Sequence, residues 1–488
     1  MIVNLTKRVR RILIAICVLV FIGIGFYNLQ KEKLEEMSNM LDSIDSNKYK
    51  IDVVFEDETK RLICNQTVEY INKTGENLKE VNFHIYPNAY SKKEYAPFEQ
   101  GDMNRAYPNG YNEGYIDVEN VVLEGREINF EIRGEKKDIL TVYLDKEILE
   151  NEVASIEIKY DVKIPNSKGR FGYGDNTINV TNWFPIACVY DEKGWNLNSY
   201  GEIGDPFYSD ISDFDVKMLI PRKYKIGTTG EIEKEKSSEE ETLYEIEAEN
   251  VRDFAFILSD KFIVESDSYK GIAINTYNLN EDMAKKALEI SKDSIEIFSE
   301  LFGKYPYDVY NVVASDFYIG GMEYPNMVMI DETFYSEGNE FLLEYVIAHE
   351  TAHQWWYSVV GNNETTEPWI DEALTEFSTL LYFENKYGKE VYNEMIKTMD
   401  IQTKSYSVED IFRSTTDYKN STDYSLNVYT KGAIAFNEVR EKVGDELFLK
   451  TLREYYDTFK YENVNANEFV EFWISKGIDI QKIIDEYE

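Results

Sequence analysis

Histidine is scarce in this 488-residue chain, with three copies at His84, His349 and His353. Chemistry that needs two imidazoles therefore has almost no choice of place. Cysteine is equally rare, and three thiols cannot build a disulfide framework. Cys17 lies in an apolar run, while Cys64 and Cys188 could pair or stay free. Positive charge is short as well: 52 Lys and Arg stand against 91 Asp and Glu, a formal net charge of −39. So acidic a surface repels phosphate backbones and excludes nucleic acid as a partner. There is no repeat of fixed period and no low-complexity segment. What is present is enough length for two or three domains with real cores, and 43% hydrophobic with 14% aromatic residues, far from the disordered class.

The apolar run that holds Cys17 is at the start. Lys7, Arg8, Arg10 and Arg11 precede an uncharged stretch over 12–27. As a helix it is roughly 24 Å long at about 1.5 Å per residue, against a bilayer core of about 30 Å, and basic side chains snorkel to make up the difference. Residues 1–11 are expected to be a cytoplasmic basic segment, 12–27 a transmembrane signal-anchor and 28–48 a helical stalk. The body is then single-pass anchored at the cell membrane and extracytoplasmic. The alternative is secretion after signal cleavage, for which Gly23-Ile24-Gly25 is a poor match to Ala-x-Ala.

Over 49–262 the pattern has period two. Ile51, Val53 and Phe55 alternate with polar residues, as do Ile156, Ile158, Tyr160 and Val162, with turn signals between such runs. This predicts an N-terminal antiparallel β-sandwich, with the acidic stretch 231–249 as a solvated hairpin. Over 263–488 the pattern predicts an α/β domain. Its elements are a helix at 283–302, buried strands at 311–314 and 327–330, a helix at 341–360, a helix from Pro368 to about Tyr387, and further helices from Lys431 onward.

The helix at 341–360 contains His349-Glu350-Thr351-Ala352-His353. Histidines four apart share one helical face, so both rings can reach one metal. Zinc suits imidazole and carboxylate and keeps a fourth position for water. Glu350 is placed to hold and deprotonate that water. The third ligand is expected to be Glu372, nineteen residues after His353, in the first turn of the next helix. An acid there is otherwise a dipole partner. His84 falls on the polar phase of its strand and reads as structural, Trp355 and Trp356 read as core, and Glu376 is a candidate acceptor for a ligating histidine.

With these residues in view, the chain resembles the M1 family of gluzincin aminopeptidases, membrane alanyl aminopeptidase-like. Gly320-Gly321-Met322-Glu323-Tyr324 stands where the family has Gly-Ala-Met-Glu-Asn, and Val428-Tyr429-Thr430-Lys431-Gly432 matches its tyrosine before Lys-Gly. Phe83-His84-Ile85-Tyr86-Pro87-Asn88 and Trp183-Phe184-Pro185 extend the likeness into the β region. The resemblance implies a thermolysin-like catalytic domain, one zinc ion per chain, and peptide substrates with a free N-terminus. It implies that Glu323 holds the α-ammonium and that Gly320 and Gly321 let the strand approach the substrate. Tyr429 would donate to the oxyanion, and Tyr424 would border the pocket for the first side chain. Departures are Tyr324 for Asn, Gly321 for Ala and Ala373 for Gly, and no clean second amine anchor near Asn182-Trp183. Only 59 residues follow Tyr429, a short form without the helical C-terminal domain of many members. A zinc endopeptidase with an open cleft, or a catalytically dead binding module on the same fold, are the alternative readings.

Overall fold

The computed structural model describes residues 46–406 and 411–487. The expected cytoplasmic segment, the span at 12–27, Cys17 and the stalk up to residue 45 lie outside the described residues. Among those described, no helix is long and apolar enough to cross a membrane. Where the stalk was expected to reach Lys48, the chain is already strand from Asn47. Contacts divide the chain after Asn47, and residues 48–488 form one compact unit.

The alternation of Tyr49, Ile51, Val53 and Phe55 makes one face of strand Asn47–Glu56 apolar and buried, the other exposed. That strand pairs antiparallel with Arg61–Ile71, which pairs antiparallel with Val153–Lys163. These strands sit centrally in an eight-stranded sheet, whose edges are the acidic strand Glu231–Ser237 and the short Arg126–Glu127. The predicted hairpin is there: Glu231–Ser237 pairs with Glu241–Val251 and is mostly exposed. Two four-stranded sheets complete the larger part of the β region, so the alternating strands divide among three sheets. His84 is not on a solvated face. It is buried and stacked on Tyr86 at 4.7 Å, and burial lowers its pKa to about 4.

Past Ile263 a five-stranded sheet runs in the order Ile263–Tyr269, Ile272–Asn278, Val309–Ser315, Met327–Asp331, Gly321–Met322. The inner pairings are parallel, and the two outer strands are antiparallel to their neighbours. Helix Glu281–Phe302 covers the apolar residues whose helical spacing announced it.

One predicted helix is corrected. The segment expected to run from 341 to 360 is helical only over Glu340–Ala352. Trp355, Trp356 and Tyr357 are all buried, and three consecutive residues point about 100° apart on a helix, so one packed face cannot take them all. The chain turns instead, with Tyr357 at φ 117°. Trp355 Nε1 then donates to the Gly303 carbonyl at 3.0 Å, and Trp356 Nε1 to Ser378 Oγ at 2.9 Å.

Arg252, fully buried, ties the segments around Ser209 and Glu462 to this turn. Its Nε donates to the Tyr357 carbonyl, Nη1 to the Ser209 carbonyl and Nη2 to the Glu462 carbonyl, at 2.7–2.8 Å. Replacing Arg252 by Met leaves the buried Tyr357 and Ser209 carbonyls, and the part-buried Glu462 carbonyl, without that donor. Unfolding in urea is expected to show a loss of about 3 kcal/mol with an unchanged m-value. A loss near zero would mean the carbonyls find other partners.

Candidate active site

His349 sits in the last turn of helix Glu340–Ala352, and His353 caps it. Helix Trp369–Tyr387 starts after Pro368 and carries Glu372 in its first turn, as the sequence predicts. The two helices bring one oxygen, Glu372 Oε2, to 3.5 Å from His349 Nε2 and 3.2 Å from His353 Nε2. That oxygen is buried without a hydrogen-bond partner. Two ligands each about 2.0–2.1 Å from one tetrahedral centre lie about 3.3 Å apart, so the spacing fits a zinc site.

The far side of each ring supports the same reading. His353 Nδ1 is 3.0 Å from the Trp356 carbonyl, so Nδ1 carries the proton and the Nε2 lone pair faces Glu372. His349 Nδ1 is 2.9 Å from Glu376 Oε2. Glu376 in turn accepts a hydrogen bond from the Tyr345 hydroxyl. Glu376→Ala is expected to weaken zinc binding about 10–100-fold, read by competition with a fluorescent chelator. Unchanged affinity would remove Glu376 from the metal's support.

A cleft of ≈ 550 Å³ is lined by both histidines, Glu350, Glu372, Glu323 and Tyr429. Burial raises the Glu350 carboxyl to about 7. Gly321 lies against that carboxylate, and a Cβ there would overlap it. Gly320 adopts φ +120°, a conformation that favours glycine. Gly321–Met322 is the free edge of the five-stranded sheet, and Glu323 follows it. Gln354, next to His353, pins this turn by accepting from Asn326 N at 2.7 Å and donating to the Tyr324 carbonyl at 3.2 Å. The Tyr324 hydroxyl donates to Asn182 Oδ1 at 2.8 Å. Asn182 is thus spent on holding the strand.

Tyr429 lies in a π-helical turn, Leu426–Lys431. Gly432 lets this turn approach, since a Cβ there would overlap Ala373 beside Glu372. The Tyr429 hydroxyl donates to Glu372 Oε1. Tyr424 is buried, lines the cleft and packs edge-on against Tyr429 at 5.7 Å. Cys64 and Cys188 are both buried free thiols.

Residues 286–487 match the model of the peptidase family M1 domain. This part of the chain is similar to an M1 peptidase domain. Over 203 residues it is 26% identical to leucine aminopeptidase 2-1 of Meyerozyma guilliermondii, covering 39% of this chain and 33% of that protein. Over 232 residues it is 25% identical to aminopeptidase N of Escherichia coli, covering 44% and 26%. The matches thus span a third or less of these curated relatives. A solved M1 zinc metallopeptidase variant from Deinococcus radiodurans, bound to the substrate Tyr-Ser-Ala, superposes with a TM-score of 0.64. It is 15% identical and covers 90% of this chain and 92% of that one. A two-domain M1 zinc metallopeptidase variant bound to L-arginine also gives 0.64, at 15% identity over 91% and 93%. At that identity the likeness is one of fold: a β-sheet region followed by an α/β region rich in helix.

His349, His353 and Glu372 form a buried group that could hold one metal ion, and zinc is an ion that this donor set fits. Sequence reasoning missed what the β region adds to the cleft. Asp205 and Arg170, buried and paired with each other, line it together with Gly204. No motif marked them, because 35 residues separate the pair. It also missed Gln354 and Tyr345, which touch site residues only through the fold.

Proposed function

We propose that this protein is a zinc aminopeptidase that removes N-terminal residues from peptides. The observation that carries the proposal is Glu323: a buried carboxylate with an unpartnered oxygen, lining the same cleft as the histidine pair. A carboxylate in a largely dry cleft is a natural partner for an ammonium group.

One zinc ion at His349, His353 and Glu372 supplies Lewis acidity to the substrate carbonyl and makes water acidic near neutral pH. Glu323 holds the α-ammonium, which sets the first peptide bond against the cleft. The free edge at Gly320 and Gly321 lets the substrate backbone lie alongside. Glu350 accepts a proton as water oxygen bonds to the carbonyl carbon. It passes that proton to the amine nitrogen as the C–N bond breaks. Tyr429 donates a hydrogen bond to the carbonyl oxygen as charge builds there. Tyr424 borders the space for the first side chain.

The basic cluster Lys7–Arg11 before the uncharged stretch 12–27 supports a membrane anchor with the body outside the cell.

The test is hydrolysis of aminoacyl-amide reporters beside their N-acetylated twins, using the zinc-loaded full chain in detergent. Cleavage of free-amine substrates alone is expected. Equal cleavage of the twins would sink the Glu323 assignment and favour an endopeptidase. Cleavage of neither, with zinc bound, would favour a binding module.

A further inference from the structure

The residue after Glu323 is fastened to the β region by a series of buried hydrogen bonds. The Tyr324 hydroxyl donates to Asn182 Oδ1 at 2.8 Å, and Asn182 Nδ2 donates in turn to Asp253 Oδ2. Asp253 Oδ1 accepts from the backbone N–H of Phe254 at 2.6 Å, and the Phe254 carbonyl accepts from Trp183 Nε1 at 3.0 Å. Tyr324 is fully buried, Asp253 is 2% exposed and Asn182 5%. The series thus runs from the turn after the free strand edge into the core of the β region.

We propose that Asp253, Asn182 and Tyr324 are positioning residues through which the β region sets the place of Glu323 against the zinc triad. The grip on the substrate's α-ammonium then depends on the Tyr324 hydroxyl, 2.8 Å from its acceptor. This rests on the reading of Glu323 as the amine anchor.

Three features separate the series from ordinary packing. First, every polar atom in it is used. The Tyr324 hydroxyl, both ends of the Asn182 amide and both oxygens of Asp253 have partners, whereas Glu323 Oε1, one residue away, has none. A fully satisfied buried network specifies one arrangement, where apolar contacts tolerate several. Second, the donors run in one direction. Ionised Asp253 only accepts, so Asn182 turns Nδ2 toward it and keeps Oδ1 for Tyr324, whose hydroxyl is then the donor. Third, Asn182 adopts φ 48°, a left-handed conformation that asparagine tolerates better than most side chains.

Tyr324 shares a peptide unit with Glu323, and its carbonyl accepts from Gln354 Nε2 at 3.2 Å. Gln354, the residue after His353, ties the turn to the zinc helix, and Asn182 ties it to the β region. With one tie removed, the turn can swing about the other. A displacement of about 1 Å is enough to weaken a contact that depends on register.

The experiment compares wild type with Tyr324→Phe and Asn182→Gly, each as the zinc-loaded full chain in detergent. The pH is held above the value of about 7 to which burial raises the Asp253 carboxyl, so that it is ionised. Phenylalanine keeps the ring and removes the hydroxyl, while glycine accepts the φ of residue 182 and removes the amide. The readout is the inhibition constant of an amino-acid hydroxamate, a zinc-binding probe, against that of its N-acetylated twin. Zinc content and circular dichroism are measured beside it, and if one variant does not fold the other decides. In wild type the free amine is expected to tighten binding. In each variant that advantage should fall roughly tenfold, with the acetylated twin bound as before and one zinc retained. The double variant should lose no more than Asn182→Gly alone, since both act through one bond. An undiminished amine advantage in the folded variants would overturn the proposal and leave Glu323 as the anchor. Equal weakening of both probes would overturn it too, as would additive losses in the double variant. No amine advantage in wild type would instead remove Glu323 as the anchor, and the proposal with it.

Discussion

Glu350→Gln is expected to lower kcat toward the upper end of about 10²–10⁴-fold, with KM little changed and one zinc still bound per chain. Glutamine keeps the size of the side chain but cannot receive the proton released as water attacks. Glu350 is not among the three converging atoms, His349 Nε2, His353 Nε2 and Glu372 Oε2, so zinc content measured beside the kinetics separates the two roles. Burial already raises this carboxyl to about 7, which suits a group that must take a proton and give it up near neutral pH. A loss under tenfold, or loss of zinc, would remove Glu350 from the role of base.

Tyr429→Phe is expected to cost about 10²–10³ in kcat, the usual price of one oxyanion donor. Its interpretation needs one control. The hydroxyl donates to Glu372 Oε1, so its removal also frees an oxygen of a metal ligand. Zinc affinity and the rate at saturating zinc must therefore be measured apart. A large loss at saturating zinc supports the oxyanion role. A normal rate at saturating zinc with weakened zinc binding would make Tyr429 a positioning residue for Glu372.

Much of the site was legible because it is local in sequence. Histidines four apart on an amphipathic helix must share a face, and Glu372 is reached by a second helix whose start Pro368 announces. Alternation over Tyr49 to Phe55 likewise has one reading, since a period of two cannot be buried as a helix. The early end of the helix at Ala352 was not legible. Its cause is the joint burial of Trp355, Trp356 and Tyr357, which depends on partners at Gly303 and Ser378 that adjacency in the chain does not reveal. His84 was placed on the polar phase for a similar reason: phase along a strand says nothing of a ring such as Tyr86 packed over it.

By itself the sequence carried most of the element types, a candidate metal-binding set at His349, His353 and Glu372, and an acidic balance that argues against a nucleic-acid partner. All three follow from spacing and composition, which survive without knowledge of the fold. Only the tertiary structure decided that Gln354 pins the Glu323 turn, and that Asp205 and Arg170 reach the cleft from the β region. Those are meetings of side chains from separate elements, and what brings them together is the packing of one core, not the order of residues along the chain.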